Sequence, residues 1–491
     1  MSSLPNWLSY HAASTPNSTA LVAVGGRWTF AELNAWAASI GGGLLLQGVR
    51  TGDRAAVLMD NGPEYFALIH ALMRIGAVLA PVNTRLSAAE IAWQLADCQA
   101  SLLIHDRANA DSAARAAKSS GVRTVAFEQS FVGELAVAMQ QAREVDLAEL
   151  QCIVYTSGTT GRPKGAMLTY GSHWWSAAGS AINLGAHRSD VWLLCLPMFH
   201  VGGLAILMRA AIHGVPVVVH RGFDAAALNA AIEEDSVTLF SAVAVMLRRM
   251  LRESGTTAYP STLRAVLLGG GPAPTDLLEE CARRGLPVLQ TYGLTETASQ
   301  AVTLSPSDAP THPQSAGRPL LPTLLRIGRN EGAQAEPNEP GEILLRGPNV
   351  SPGYYRRPSE TERAFRGGWF HTGDDGYLDD EGFLYVLDRR SDLIVTGGEN
   401  VYPAEVEAAL LNHTAVADAG VYGVPDPEWG SEVVAAVVLR EDAVADGEAL
   451  RAHVLAQIAG YKVPRRVHFV PELPRNAAGK LVRRDLRRQY G

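Results

Sequence analysis

Tyr155-Thr156-Ser157-Gly158-Thr159-Thr160-Gly161-Arg162-Pro163-Lys164-Gly165 follows the apolar run Cys152-Ile153-Val154. Glycines let backbone N–H groups turn toward one anion, small hydroxyls add donors, and the lysine adds charge. The plain alternative is a surface turn rich in small residues. Hydroxyl, glycine and lysine packed this densely argue instead for a loop that holds a polyphosphate. It is not the G-x-x-x-x-G-K-[ST] loop of kinases and GTPases. Counted from Gly158 the next glycine, Gly161, comes too early. Gly165 stands where a Mg²⁺-binding hydroxyl should follow the lysine, and Pro163 opposes a helix running through the loop.

Outward from the loop, helical and strand patterns alternate. Thr29 to Leu46 reads as an amphipathic helix, Arg54 to Met59 as a buried strand and Pro63 to Ile75 as a helix. A strand over Ala77 to Pro81, a helix over Ser87 to Ala96 and a strand over Ser101 to Ile104 follow. After the loop the alternation resumes with Val215 to Val219, a helix from Ala225, Thr238 to Phe240, a helix near Met246, and Ala265 to Leu268. This order argues for largely parallel sheet covered by helices. From Leu324 to Leu387 the texture changes to short strands with glycine turns, which reads as an antiparallel or barrel-like subdomain. The charged run Asp388-Arg389-Arg390-Ser391-Asp392 then separates off about a hundred residues, enough for a separate α+β lid. The fold class expected is α/β: a large N-terminal domain of two βα-layered subdomains plus a β-rich subdomain, with a small mobile α+β C-terminal lid. The domain limits are 1–388, a hinge at 389–392, and 393–491; an ordinary exposed turn is the alternative for the hinge.

A chain of 491 residues exceeds one ordinary core, and 47% hydrophobic residues with a mean hydropathy of +0.03 describe a globular protein. A net charge of −8 argues against nucleic acid as a partner. The four cysteines (Cys98, Cys152, Cys195, Cys281) are far apart, so neither a metal cluster nor a redox pair is expected, and a reducing cytoplasm fits. Met1-Ser2-Ser3-Leu4 has no signal-peptide pattern. Val191 to Met208 is apolar but broken by Pro197, His200, Gly202 and Gly203, so a strand, a turn and a helix are expected rather than a membrane span. Oligomeric state is not readable, and a homo-oligomer stays open.

Two glycine-rich segments extend the site. Leu267-Leu268-Gly269-Gly270-Gly271-Pro272 follows a predicted strand, so a flat ring could approach the backbone and an adenine edge be read by backbone groups. Alone it is a weak signal, because such βα turns are often only turns. Gln290-Thr291-Tyr292-Gly293-Leu294-Thr295-Glu296-Thr297 adds an aromatic ring, a hydroxyl and a carboxylate within five residues.

The phosphate loop, these segments, Trp369-Phe370-His371-Thr372-Gly373-Asp374, Arg389, Gly397-Gly398-Glu399-Asn400 and Pro474-Arg475-Asn476-Ala477-Ala478-Gly479-Lys480 resemble, in order, the motifs of the adenylate-forming enzymes: acyl-CoA synthetases, luciferases and adenylation domains. The resemblance implies that ATP is gripped by Thr156, Ser157, Gly158, Thr159, Thr160 and Lys164, with Gly270, Gly271 and Pro272 beside the adenine and Tyr292 stacked on it. It gives Thr295 to the AMP phosphate and Glu296 to Mg²⁺. Asp374 would hold the ribose, since one carboxylate can accept from both hydroxyls, with Arg389 in support. Gly397 and Gly398 would line the tunnel of coenzyme A, Ser391 would mark the hinge, and Lys480 would be the catalytic lysine. The chain departs from the family pattern at Gln290, where asparagine is frequent, at Asp388, where glycine is usual, and at Ser391, where Asp or Lys is frequent.

The implied reaction is an ATP-dependent acid–CoA ligation, with ATP, Mg²⁺ and coenzyme A as cofactors and cosubstrate. Thr169-Tyr170-Gly171-Ser172-His173, Leu196 to Leu204, Ser241-Ala242-Val243, Gly269 to Glu280 and Ala298 to Pro306 resemble the o-succinylbenzoate–CoA ligase branch, of menaquinone biosynthesis. That acid carries a second carboxylate, which must be bound without reacting, and an unpaired buried charge costs several kcal/mol, so a cation or several donors are needed. Arg209 is one candidate, with a solvent-facing helix position as its alternative. Ser241, Ser299 and Gln300 are neutral candidates, with Gly269 beside the acyl group. His200 matches a gating residue, against a core histidine. An aryl- or medium-chain fatty acyl-CoA ligase, an adenylation module serving a separate carrier protein, and a nucleotide-binding protein without catalysis are the competing readings.

Overall fold

The computed structural model describes residues 3–131, 142–156, 163–271, 273–329, 333–389, 392, 394–396, 399–426, 429–458, 460–475 and 481–491. Thr29, Ser87 and Thr169 each start a helix by the same device. The cap side chain accepts from the backbone N–H three residues on, and the residue there (Glu32, Glu90 or Ser172) reaches back to the cap's own N–H. The helices so begun are Phe30–Leu46, Ala88–Asp97 and Tyr170–Leu184.

The first of two large sheets has six strands in the order Lys164–Thr169, Leu150–Thr156, Val78–Pro81, Arg54–Leu58, Leu102–His105, Thr124–Ala126. All neighbours are parallel except the first pair. The second sheet has nine strands. Its centre is the parallel array Val288–Tyr292, Ala265–Leu268, Leu239–Ala242, Trp192–Leu194, Val217–Val219, Thr19–Ala23.

Strand periodicity builds the layers. Ala55 and Val57 face one core while Ala56 and Leu58 face another; Ala265 and Leu267 oppose Val266 and Leu268 in the same way. The largest core lies between the two sheets and takes in the helices Phe30–Leu46, Pro63–Ile75, Tyr170–Leu184 and Val201–His213. The outer face of the first sheet is closed by Ala88–Asp97 and Ala110–Ser120, and that of the second by Ala225–Glu234, Ala244–Glu253 and Thr275–Arg283.

Leu324–Gly328, Gly341–Arg346, Trp369–Leu378, Phe365–Arg366 and Leu384–Arg389 make the antiparallel sheet expected of the glycine-punctuated region. The strand Leu384–Arg389 carries Asp388 and Arg389 into that sheet, so these two are not part of an exposed turn. Beyond it, Val416–Asp426, Gly430–Leu439 and Arg466–Phe469 form a three-stranded sheet with the helices Pro403–Leu411, Gly447–Leu455 and Arg483–Tyr490. The apolar stretch near Val191 is the strand Trp192–Leu194 followed by the helix Val201–His213. Among the described residues no helix is long and apolar enough to cross a membrane.

Candidate active site

In an open parallel sheet ligands bind beyond the carboxyl ends of the strands. Four adjacent strands of the second sheet deliver site residues there. Trp192–Leu194 leads toward His200, Leu239–Ala242 carries Ser241, Ala265–Leu268 runs into Gly269 to Gly271, and Val288–Tyr292 ends on Tyr292. Gly270 has φ +88°, a conformation glycine adopts without strain, and a Cβ added to Gly271 would meet nothing within 4 Å. The backbone here is open to a flat ring.

Tyr292 Oη donates to Asp374 Oδ2 at 2.8 Å, so two residues 82 apart in sequence are joined. Asp374 is buried on the strand Trp369–Leu378, directly opposite Arg389 of the neighbouring strand. The adenine and ribose candidates thus form one connected group. Gly293, next to Tyr292, packs so tightly that a Cβ would lie 1.5 Å from the Ser299 carbonyl oxygen. That contact presses the turn Ala298–Ser299 against the end of the strand. Both residues are left-handed, with φ +52° and +90°, a conformation non-glycine residues hold only where the surroundings enforce it.

Thr156 ends the strand Leu150–Thr156 and Lys164 begins Lys164–Thr169, paired directly opposite each other. The two strands that flank the phosphate loop therefore pair as a hairpin, and its lysine opens a strand instead of a helix. Ser157, Gly158, Thr159 and Thr160 lie outside the described residues, as do Pro272, Ser391, Gly397, Gly398 and Lys480. Glu296 sits with Thr295 in the 3₁₀ turn Thr295–Thr297 and is 7% exposed. Its Oε1 accepts from Tyr354 Oη at 2.7 Å, and Lys164 Nζ lies 5.2 Å from the centre of the Tyr354 ring. One tyrosine thus touches both the loop lysine and the carboxylate. Tyr354 was not singled out from the sequence; the only signal was a glycine before two aromatics, Gly353-Tyr354-Tyr355.

The acyl candidates separate by environment. His200 is the residue preceding the helix Val201–His213; its Nε2 is buried without a partner among the described residues, and burial pushes its pKa down to about 4, with Arg85 adding to the effect. Gln300 is 2% exposed; its Nε2 donates to Thr303 Oγ1 at 3.2 Å, while its Oε1 has no partner among the described residues. Arg209 is not a surface residue. It is 2% exposed, burial pulls its pKa down to about 9, and its Nε and Nη2 have no hydrogen-bond partner among the described residues. The guanidinium lies 5.9 Å from the Trp192 ring and close enough to the buried His173 to add to the depression of its pKa, which burial chiefly causes. The helix bearing His173 is tied to the Ala298 turn by Ser176 Oγ, which donates to the Ala298 carbonyl at 2.9 Å. Among the described residues no cluster of three or more His, Cys, Asp or Glu could hold a metal by itself.

Two family models match the chain: AMP-binding enzyme over residues 8–355 and AMP-binding enzyme C-terminal domain over residues 405–480. A 2-succinylbenzoate–CoA ligase of Geobacillus kaustophilus is 50% identical over 488 residues, 99% of this chain and 98% of that one. The o-succinylbenzoate CoA synthetase of Bacillus subtilis in complex with the acyl-adenylate intermediate OSB-AMP superposes with a TM-score of 0.91 at 42% identity, covering 99% of this chain and 98% of that one. The same enzyme in complex with ATP and magnesium gives 0.89 at 42% identity, covering 99% of both.

Proposed function

The chain belongs to the AMP-binding enzyme family, and from that premise we propose its reaction and the roles of its site residues. It is an AMP-forming acid–CoA ligase acting on o-succinylbenzoate, a step of menaquinone biosynthesis. A carboxylate does not react with a thiol in water because its leaving group would be oxide or hydroxide. In the first half-reaction the succinyl carboxylate oxygen attacks the α-phosphorus of ATP and the bond to pyrophosphate breaks. In the second, the sulfur of coenzyme A attacks the acyl carbon and AMP leaves.

Both steps are matters of positioning and charge neutralisation. Tyr292 and Asp374, joined by their hydrogen bond, hold adenine and ribose, with Arg389 opposite. Lys164 and the loop residues take the outer phosphates. Glu296 with Thr295 fits a Mg²⁺ carried by the nucleotide, since that ion takes oxygen ligands and is usually held by one or two carboxylates together with phosphates. Magnesium, when bound, offsets phosphate charge; the Tyr354 hydroxyl fixes where the Glu296 carboxylate stands. Lys480 faces the α-phosphate in the first half-reaction. The body takes in 1–388, the hinge 389–392 and the lid 393–491. Arg389 pairs within the body's sheet, whereas Asp392 is held by Arg483 of the lid at 3.2 Å, which supports a change of allegiance between them. Four buried free cysteines suit the cytoplasm, where ATP and coenzyme A are supplied.

The observation that supports this acid is Arg209, a buried cation with two nitrogens that have no hydrogen-bond partner among the described residues. It suits a diacid, whose aromatic carboxylate would accept from it; a fatty acid has no use for it. The test is AMP release with coenzyme A present across o-succinylbenzoate, benzoate and octanoate. Turnover should be confined largely to the first, and preference for a monoacid would overturn the assignment.

A further inference from the structure

Tyr155, the residue before Thr156, reaches away from the site. Its hydroxyl donates at 2.8 Å to Oδ2 of Asp97, the last residue of the helix Ala88–Asp97. The other carboxylate oxygen, Oδ1, accepts from the Arg357 guanidinium. A negative side chain at a helix C-terminus opposes the helix dipole, so helix formation alone does not account for a carboxylate here. The side chain of Asp97 is only 10% exposed.

One partner lies on a strand that flanks the phosphate loop, the other on a segment that runs against the opposite flanking strand. Tyr155 is on its entry strand. Arg357 lies three residues beyond Tyr354, whose ring meets Lys164 and whose hydroxyl holds Glu296. The Tyr354 segment also runs against the exit strand: Met167 N donates to the Gly353 carbonyl at 3.0 Å and Tyr355 N to the Gly165 carbonyl at 2.8 Å. Asp97, on the far side of the first sheet, therefore fastens the entry strand to the segment that sets Lys164 and Glu296.

We propose that Asp97 is a positioning residue for ATP, holding the stem of the phosphate loop in register with Tyr354 through Tyr155 and Arg357. It touches no substrate. The proposal rests on the assignment of the loop to ATP.

The test uses the full chain with Asp97→Ala and Tyr155→Phe, the second keeping the ring packed on Trp93 and removing only the hydroxyl. KM for ATP, KM for the acid, kcat and the thermal midpoint are measured in each. Each variant should raise KM for ATP by ~10-fold, within the ~10²-fold that a ~1 Å misplacement can cost, with KM for the acid nearly unchanged. The thermal midpoint should stay near wild type in Tyr155→Phe and fall in Asp97→Ala, which leaves the Arg357 guanidinium without its carboxylate. The double variant should be no worse than the stronger single one, since coupled residues fail to add. Asp97→Asn, which keeps an acceptor for Tyr155 and loses the charge facing Arg357, should fall between wild type and Asp97→Ala. An unchanged KM for ATP in Tyr155→Phe, or parallel losses for ATP and acid, would overturn the proposal. Wild-type protein that does not saturate with ATP would instead sink the loop assignment beneath it.

Discussion

Arg209 brings a positive charge into the layer between two sheets, and the residues around it on its helix, Leu204 to Met208 and Ala210 to Ile212, are all apolar. A lone buried guanidinium destabilises a fold unless something accepts from it. That makes stability and function separable at this residue. Arg209→Leu should raise KM for o-succinylbenzoate by ~30-fold or more, the effect of leaving a buried carboxylate unpaired at a cost of about 2 kcal/mol or more. The thermal midpoint of the ligand-free protein should stay level or rise. Steady-state kinetics beside thermal melts checks both, and unchanged turnover would remove Arg209 from the acid site. The sequence put Arg209 on a helix after His200 but left buried and surface positions open, because helical periodicity is weak where nearly every residue is apolar. Tyr354 was invisible for another reason: its partners Glu296 and Lys164 lie 58 and 190 positions away.

Helices and strands were the most legible level. Cap residues mark where helices begin, and period-two alternation marks strands with a core on each face. The helix Pro63–Ile75 and the strand Ala265–Leu268 lie where the pattern placed them. The strand Lys164–Thr169 was not anticipated. Pro163 excluded a helix, but pairing with Leu150–Thr156 is non-local and leaves no trace in the eleven residues of the loop. The helices between the sheets also carry titratable groups. His70 and His173 are each 2% exposed, and burial pushes their pKa values down to about 4 and about 3, with Arg209 adding to the second. An unfolded chain takes up these protons near pH 6.5 and the folded one does not. The stability of the neutral forms is thus fully present above pH 6.5 and is lost as pH falls toward 4. Each histidine contributes a slope of about 1.4 kcal/mol per pH unit in that window. Urea midpoints at pH 7, 6 and 5 should fall in that order, and His70→Leu should flatten the decline; a wild-type midpoint level between pH 7 and 5 would contradict the burial argument.

At the scale of the whole molecule, the two half-reactions make incompatible demands. Adenylation needs a cation against the α-phosphate, and thioester formation needs an open path for a thiol to the same acyl carbon. We propose that a lid carrying Lys480 and the Gly397-Gly398 pair on different segments meets both demands by rotating between them, a domain-level step about the chain between Arg389 and Asp392. The sequence carries this in the order of its motifs, since Lys480 and the glycine pair both follow the charged run. It does not carry which way the lid faces, because orientation depends on contacts between units and not on local pattern. The separation is testable through the lysine alone. Lys480→Ala should lower adenylation, measured as acid-dependent exchange of pyrophosphate into ATP, by at least ~10²-fold, the scale for removing one transition-state electrostatic contact. Thioester formation from supplied o-succinylbenzoyl-adenylate and coenzyme A should remain near the wild-type rate, because in that half-reaction the lysine has left the site. Equal loss of both half-reactions would mean that a single lid position serves both, and the rotation would have to be abandoned.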